Sequence, residues 1–466
     1  MTISRATKVL ALVCAGTYLT ALDVTVVNVA YSTIKAALGA SDLLPWIISG
    51  YSISFAAGLL TAGRMADSFG RKKAFLMGIT VFSVSSMLCG LAWNVPVLIA
   101  ARVLQAVGAA LIVPSAMALI MPEFPVEKRA QAVGVTGAIG GLGAATGPVV
   151  GGLFTEWFGW RSIFFINVPV CIATVLIGRR LLRETSKRAT RSRPDIVGAV
   201  LATGAVALLT LALTQSKSWG WNSPYTVGAI VAVVPAGLLF VRRTRVHPEP
   251  VLDLGLLDLG FVRAANITGV LYAAGFYAFN FTMIQWLREA WGYSPGHAGL
   301  AAIPAPIVSM IVSPFGGRLA QRFGHRQVAV PGLVLMAASL IAWAQLLPAQ
   351  SGYFPGFFLP ACGVGLGIGL TIAVLSGAAS AYLPPTRFAM GSALYATGRQ
   401  VGGALGIAVV AAIVAGHTGE TSAYRWAFRY EAGVVLCSAV VFAMMFKPPT
   451  AAELNRSTTP VESVDR

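Results

Sequence analysis

Few side chains in this sequence can do chemistry, and those that can stand where chemistry is costly. Asp23 lies inside one apolar run, and Arg102 and Gln105, three positions apart, lie inside another. A carboxyl or guanidinium at the centre of a hydrocarbon layer costs about 2.5–3.5 kcal/mol on insertion scales, so each should face a protein interior and serve a purpose. Residues three apart share a helix face, and Arg102 is expected to face Asp23 across an internal cavity. One outcome is a permanent ion pair that fixes helix packing. The other is proton coupling. Desolvation favours the neutral form of any carboxyl and a nearby guanidinium the charged form, so an acid whose partner moves can load a proton on one side and release it on the other. Thr20, Asp23, Val27 and Tyr31 fall within about 80° of one another on a helical wheel, giving Asp23 a partly polar stripe. Glu123, Glu156, Asp195, Glu289 and Glu431 are expected near span ends.

A second group of residues could form a binding surface. Phe276, Tyr277, Asn280 and Trp286 share one apolar run, Trp46, Tyr51 and Phe55 another, and Tyr395, Arg399 and Gln400 a third. Aromatic faces with a few polar groups suit a flat, amphipathic organic molecule. Each ring taken singly is explained as well by lipid contact, and Trp46 and Trp286 by the interfacial aromatic belt. Two embedded cations, Arg102 and Arg399, against one acid disfavour a strongly dicationic ligand and favour a neutral, zwitterionic or anionic aromatic one.

Other chemistries find no support. Cys14, Cys89, Cys171, Cys362 and Cys437 all lie in apolar runs, and His247, His297, His325 and His417 are scattered, so neither a disulfide framework nor a metal site is expected. The phosphate loop GxxxxGK[ST] is absent, which excludes ATP hydrolysis by that device. No Ser/His/Asp or Cys/His constellation gathers at one face, so a membrane-embedded enzyme is disfavoured. No cofactor is expected.

Lipid must solvate the elements that carry these residues. Of 466 residues, 56% are hydrophobic and only 11% charged, with a mean hydropathy of +0.75; the charged share of a soluble protein is about a quarter. Apolar runs long enough to cross a layer about 30 Å thick recur along the chain. They place about fourteen spans, near 8–34, 44–64, 74–94, 96–120, 131–155, 163–182, 195–215, 223–243, 262–287, 297–317, 328–347, 352–376, 390–416 and 427–447. The first could pass for a signal peptide but is too long, and it is expected to be retained. Lys and Arg crowd alternate loops, as in Arg64, Arg71, Lys72 and Lys73, or Arg179, Arg180, Arg183 and Lys187. By the positive-inside rule both termini are cytoplasmic. Basic loops beside anionic lipid account for the net charge of +17, so no nucleic-acid partner is implied.

One loop occurs twice. GRMADSFGRKK at 63–73 and GGRLAQRFGHR at 316–326 match Gly63 with Gly317, Arg64 with Arg318, Ala66 with Ala320, Phe69 with Phe323 and Gly70 with Gly324. Each copy follows the second span of a set of six. The expected fold is therefore all-α and integral to the membrane, two six-helix bundles related by duplication with two helices inserted between them. The expected division is a first bundle (1–183), a basic linker (184–194), an inserted pair (195–245), a second bundle (246–447) and a polar tail (448–466). Duplicated bundles that rock about a midplane site are the build of secondary transporters.

At these motifs the chain resembles the major facilitator superfamily, and within it the fourteen-helix drug:proton antiporter family, over essentially its full length. GRMADSFGRKK resembles the superfamily's cytoplasmic loop signature, and LDVTVVNVA (22–30) the first-helix signature of the fourteen-helix branch. GAATGPVVGG (143–152) resembles the antiporter signature of exporters, and WRSIFFINVP (160–169) the segment entering helix six. The resemblance implies export of drugs or antibiotics by alternating access in the inner (plasma) membrane, driven by proton-motive force, by a monomer whose partners are an organic small molecule, protons and lipid.

The resemblance also implies that the loop holding Gly63, Arg64, Asp67, Gly70, Arg71 and Lys72 is a latch. Asp67 would meet the N-terminus of span thirteen, near 387–391, while Gln321 in the second copy would latch weakly or not at all. Gly143, Gly147 and Gly151, four apart, share a face that admits a neighbouring backbone, with Gly152 beside them and Pro148 expected to bend the helix. The family adds that this helix lies where the halves meet and favours export. A nutrient importer of the same fold is the rival reading, with no reason to carry GAATGPVVGG.

Overall fold

A computed structural model of the chain describes residues 4–39, 41, 43–44, 46–184, 195–247, 250, 252, 255–346, 352–380, 382–384, 387–415 and 421–448. Most of the expected linker and tail lies outside them. The described residues form helices and no strand. Fourteen long helices follow in order: α1 Arg5–Leu38, α2 Trp46–Phe69, α3 Arg71–Gly90, α4 Val95–Ile120, α5 Val126–Phe158, α6 Asn167–Leu181, α7 Ile196–Trp219, α8 Pro224–Val246, α9 Gly260–Glu289, α10 Pro304–Phe323, α11 His325–Leu346, α12 Phe358–Ser380, α13 Phe388–Ala415 and α14 Thr421–Met445. Among the described residues eleven helical stretches are long and apolar enough to cross a membrane, and Gln131–Ala144 with Val149–Phe158, bent by 41° within α5, make a twelfth. Shorter apolar stretches, Trp46–Leu59 and Val197–Leu213, fall where the second and seventh spans were expected.

Glycine explains why the loop occurs twice. Only Gly70 separates α2 from α3, and only Gly324 separates α10 from α11. Their φ angles are 111° and 95°, a region that side chains with a Cβ avoid. The charged residues around them differ, but the reversal needs the same residue.

A second small-residue device is also duplicated. A Cβ on Gly143 would lie 2.5 Å from the Tyr18 carbonyl oxygen, and one on Gly151 3.1 Å from that of Val26, while Gly147 lies against Leu22 and Thr25. This stripe seats α5 on α1, within the same half. The other half repeats it, with Gly398, Gly402 and Gly406 set against Val270 and Ala274 of α9. Without side chains on the stripe, two backbones approach closely enough for dispersion contacts along several turns. Gly152 faces open space, and the 41° break in α5 contains Pro148.

The apolar interior divides along the same line. One set of buried residues, including Phe75, Ile79, Phe82 and Phe164, lies in α1–α6 and the short helix between α5 and α6. Another, including Tyr272, Trp286, Trp343 and Phe428, lies almost wholly in α9–α14. The halves meet where α5 packs on α10 and α12, and where α2 and α4 pack on α13. Ser313 of α10 donates to the Gly134 carbonyl of α5 at 3.2 Å. The inserted α7 and α8 pair with each other, α7 resting on α2 and α13. Thr61 and Thr203 share a hydrogen bond of 3.0 Å across α2 and α7.

Two expectations are corrected. Glu431 is not near a span end: α14 begins at Thr421, before the expected 427, and places Glu431 near its middle and fully buried. Trp286 does not belong to an interfacial belt. It is 1% exposed and packs edge-on against Tyr424, ring centres 5.2 Å apart.

Candidate functional site

Asp23 is the hub of a buried polar cluster that ties together five of the first six helices. Arg102 of α4 donates through Nη1 to Asp23 Oδ2 at 2.5 Å. Gln105, one turn on, donates through Nε2 to Asp23 Oδ1 at 2.9 Å. Asn167, the first residue of α6, donates to Asp23 Oδ1 at 3.4 Å and to Ser86 Oγ of α3 at 3.0 Å. Ser86 in turn donates to the Phe164 carbonyl at 2.8 Å. From α2, the Tyr51 ring covers the guanidinium with its centroid 4.1 Å from Cζ, and Phe55 stacks on Tyr51 at 6.0 Å.

The pair is sealed, with the Arg102 and Asp23 side chains 2% and 1% exposed, so no open cavity separates them. Of the expected stripe only Asp23 enters the cluster. Thr20 turns back to the Thr17 carbonyl of its own helix at 2.9 Å, and Tyr31 packs against the apolar core.

The arrangement can tolerate a change of charge. Arg102 has acceptors besides the carboxylate: Gln105 Oε1 at 2.7 Å, the Ile47 carbonyl at 3.4 Å and the Tyr51 π face. A guanidinium that loses its carboxylate here is not stranded, which a simple buried ion pair could not claim. The Tyr51 hydroxyl and Asn167 Oδ1 are buried without a partner, so the cluster has unused hydrogen-bonding capacity for a rearrangement.

The second half carries a different group. Tyr277 of α9 donates to Gln400 Oε1 of α13 at 3.4 Å, and the neighbouring Arg399 donates to the Tyr277 hydroxyl, with Tyr395 and Tyr272 close by. Phe276 stacks on Tyr272 with centroids 5.8 Å apart and meets Tyr277 edge-on at 5.2 Å. Asn280 turns its amide to the Phe276 carbonyl of its own helix at 2.8 Å. Glu431 accepts a hydrogen bond from Thr282 of α9.

The repeated loop is tied into its own half. Glu184 accepts from the backbone N–H groups of Lys72 and Lys73, both at 3.4 Å, at the positive end of α3. Lys72 Nζ donates to the Arg179 carbonyl at 2.8 Å. Gly63, Gly70 and Arg71 are buried and Arg64 is half-buried; the Asp67 side chain lies outside the described residues. Asn167, Ser86, Tyr272 and Glu184 were not singled out from sequence. Asn167 stands in the quoted WRSIFFINVP, and an amide inside an apolar run was the available signal.

Two six-helix halves, each seated by a duplicated glycine stripe and joined through several helix contacts, are the frame of a multi-pass membrane transporter. The chain belongs to the Major Facilitator Superfamily, whose model matches residues 13–196 and 265–463. The unmatched interval contains the inserted α7 and α8. The chain is 33% identical over 421 residues to the Tetracenomycin C resistance and export protein of Streptomyces glaucescens, covering 89% of this chain and 77% of that one. It is 32% identical over 461 residues to the Cephamycin export protein CmcT of Amycolatopsis lactamdurans, covering 98% and 95%. Among solved structures it matches the proton:xylose symporter XylE with a TM-score of 0.68 at 13% identity, over 97% of this chain and 98% of that one. At that identity the likeness concerns fold alone.

Proposed function

We propose that the chain exports amphipathic organic compounds, antibiotics or related drugs, in exchange for protons, by alternating access between its two halves. The names of the two relatives, each covered over most of its length, support export. The observation that supports proton coupling is the Asp23 cluster, a sealed carboxylate whose cation partner has three neutral alternatives. When Asp23 takes a proton, Arg102 keeps Gln105, the Ile47 carbonyl and Tyr51 as its partners while its hold on α1 through Asp23 weakens. Because the cluster binds α1, α2, α3, α4 and α6, that local change reaches the whole first half. Each proton entering down 100 mV supplies about 2.3 kcal/mol.

In this reading Tyr51 and Phe55 extend from the coupling pair toward the substrate path, and Phe276, Tyr277, Tyr395 and Arg399 line the opposite side. The protein acts as a monomer in the plasma membrane with both termini in the cytoplasm, and Asp67 latches the cytoplasmic mouth onto the start of α13. The deciding experiment is proton release on substrate addition in energised inverted vesicles, with the parent and Asp23→Asn. The parent should release protons and the variant should not. Equal release from both removes Asp23 from the mechanism, and net uptake of substrate into right-side-out cells would replace export with import.

A further inference from the structure

Arg399 is a cation near the middle of α13 with no ion-pair partner among the described residues, in contrast to Arg5 on Glu123, Arg102 on Asp23 and Arg243 on Asp195. Arg399 donates to the Tyr277 hydroxyl and lies near Tyr395 and Tyr272, with no carboxylate beside it among the described residues. Its Nε is buried without a partner, and so are the hydroxyls of Tyr272 and Tyr395, residues only 0% and 4% exposed. A guanidinium offers five donors and a phenol one more each. Donors therefore gather here, and an acceptor of matching charge is what is missing.

The group is built rather than incidental. The Tyr395 ring lies over Gly269, where a Cβ would sit 2.5 Å from Cε2, and the Tyr277 ring lies over Gly403, where a Cβ would sit 2.5 Å from Cδ2. Each tyrosine is thus seated by a glycine on the facing helix, and any larger residue would displace it. Nor is the group closed. Arg399, Tyr277, Gln400 and Phe276 remain half-buried although they lie deep within their spans, in contrast to the sealed Arg102 and Asp23. Phe276 and Tyr272, stacked with 15° between their planes, supply an aromatic wall beside the cation. Helix α13 also touches α2 and α4 of the other half, so the group sits on an element that both halves bound.

We infer that Arg399, with Tyr272 and Tyr395, binds the ionised acid group of a planar aromatic substrate, a carboxylate or an acidic phenol or enol. The inference rests on the export reading and adds the charge of the exported compound. A bound anion would supply the acceptor that Arg399 Nε and the two tyrosine hydroxyls lack, and the flat remainder would lie along Phe276.

The test uses the full chain in phosphatidylcholine nanodiscs, titrated with naphthoate and with the matched neutral naphthamide. The parent should bind naphthoate more tightly. Arg399→Gln should weaken naphthoate about tenfold, about 1.4 kcal/mol, and naphthamide far less; Arg399→Lys, which keeps charge but loses the planar fork, should fall between. Should Arg399→Gln fail to fold, the double variant Tyr272→Phe, Tyr395→Phe carries the same test, with a smaller loss confined to naphthoate.

Absence of naphthoate preference in the parent, or equal weakening of both probes, overturns the inference. So does loss of the preference when phosphatidylglycerol is added to the discs, because the anion would then be a lipid headgroup. Proton-driven export of naphthamide by Arg399→Gln vesicles at the parent's rate, without any naphthoate preference in the parent, would leave the export reading standing while this inference falls. Selective naphthoate binding with no export of either probe would do the reverse.

Discussion

The two six-helix halves share a scaffold and differ in what they do with charge. Both reverse the chain on a single positive-φ glycine, Gly70 or Gly324, and both seat a helix on a neighbour through glycines four apart. In the first half the buried acid and cation are brought together, Asp23 on Arg102. In the second they stand apart: Arg399 of α13 lies among tyrosines, and Glu431 of α14 meets a threonine. A duplicated frame thus constrains backbone contacts, where any added atom collides, and leaves the polar side chains free to diverge. The first half suits an internal event such as proton uptake, and the second suits an external ligand.

The largest effects should come from unbalancing the first half's pair. Arg102→Ala strands a buried carboxylate, a change that costs about 3–5 kcal/mol, and should lower thermal stability in detergent and abolish transport. Asp23→Asn keeps an amide in the carboxylate's place and leaves Arg102 its neutral acceptors, so it should melt close to the parent while losing substrate-linked proton release. Equal destabilisation by the two variants would mark the pair as purely structural. Gly70→Ala and Gly324→Ala come next. Each forces a Cβ into a region costing about 1–3 kcal/mol, and at Gly70 the new Cβ would also lie 2.7 Å from the Glu184 carboxyl carbon. At Gly324 it would lie 2.7 Å from Gln327 Oε1, so both should destabilise to a similar degree; an inert Gly324→Ala would mean that the second loop keeps its glycine for another reason.

Much of the scaffold was legible before the structure. Apolar runs as long as a bilayer is thick fixed the helices, and the repeated loop exposed the duplication because a glycine required by backbone geometry survives while its neighbours change. Asp23 and Arg102 were legible because a charge in an apolar run is costly enough to demand a partner. Asn167 was only weakly legible, since an amide costs less to bury than a charge and its place inside an apolar run was the one signal. Glu431 was misplaced for a different reason. Arg425 and Arg429 make the apolar run look as if it starts near 427, whereas the helix begins at Thr421 and carries both arginines inside it.

The proposed latch gives a smaller effect that again sets one half against the other. Removing the charge in Asp67→Asn, from an acid at a helix N-terminus, should cost about 0.3–2 kcal/mol in the outward-facing state. A change of about 1.4 kcal/mol alters the ratio of the two states tenfold, so transport should slow while affinity in either state holds. Gln321→Ala should do much less. Cysteines placed beside Asp67 and Met390 should crosslink in the parent and less in Asp67→Asn; equal crosslinking would leave Asp67 as a solvated loop charge.

The smallest effect is expected at Glu431, and it bears most directly on how the halves divide their work. Glu431 is buried with one oxygen on Thr282 and the other unpartnered among the described residues, and no basic side chain is paired with it there, so no switch of partner like that of Asp23 ties it to the cycle. Glu431→Gln retains an oxygen to accept from Thr282 and should change stability by less than about 1 kcal/mol, since the hydrogen bond it preserves is itself worth only about that much. The number of protons released per substrate should not change, whereas Asp23→Asn should bring it to zero. If Glu431→Gln instead lowers that number while binding and folding persist, the second half also carries a proton, and the contrast between a coupling half and a ligand half fails.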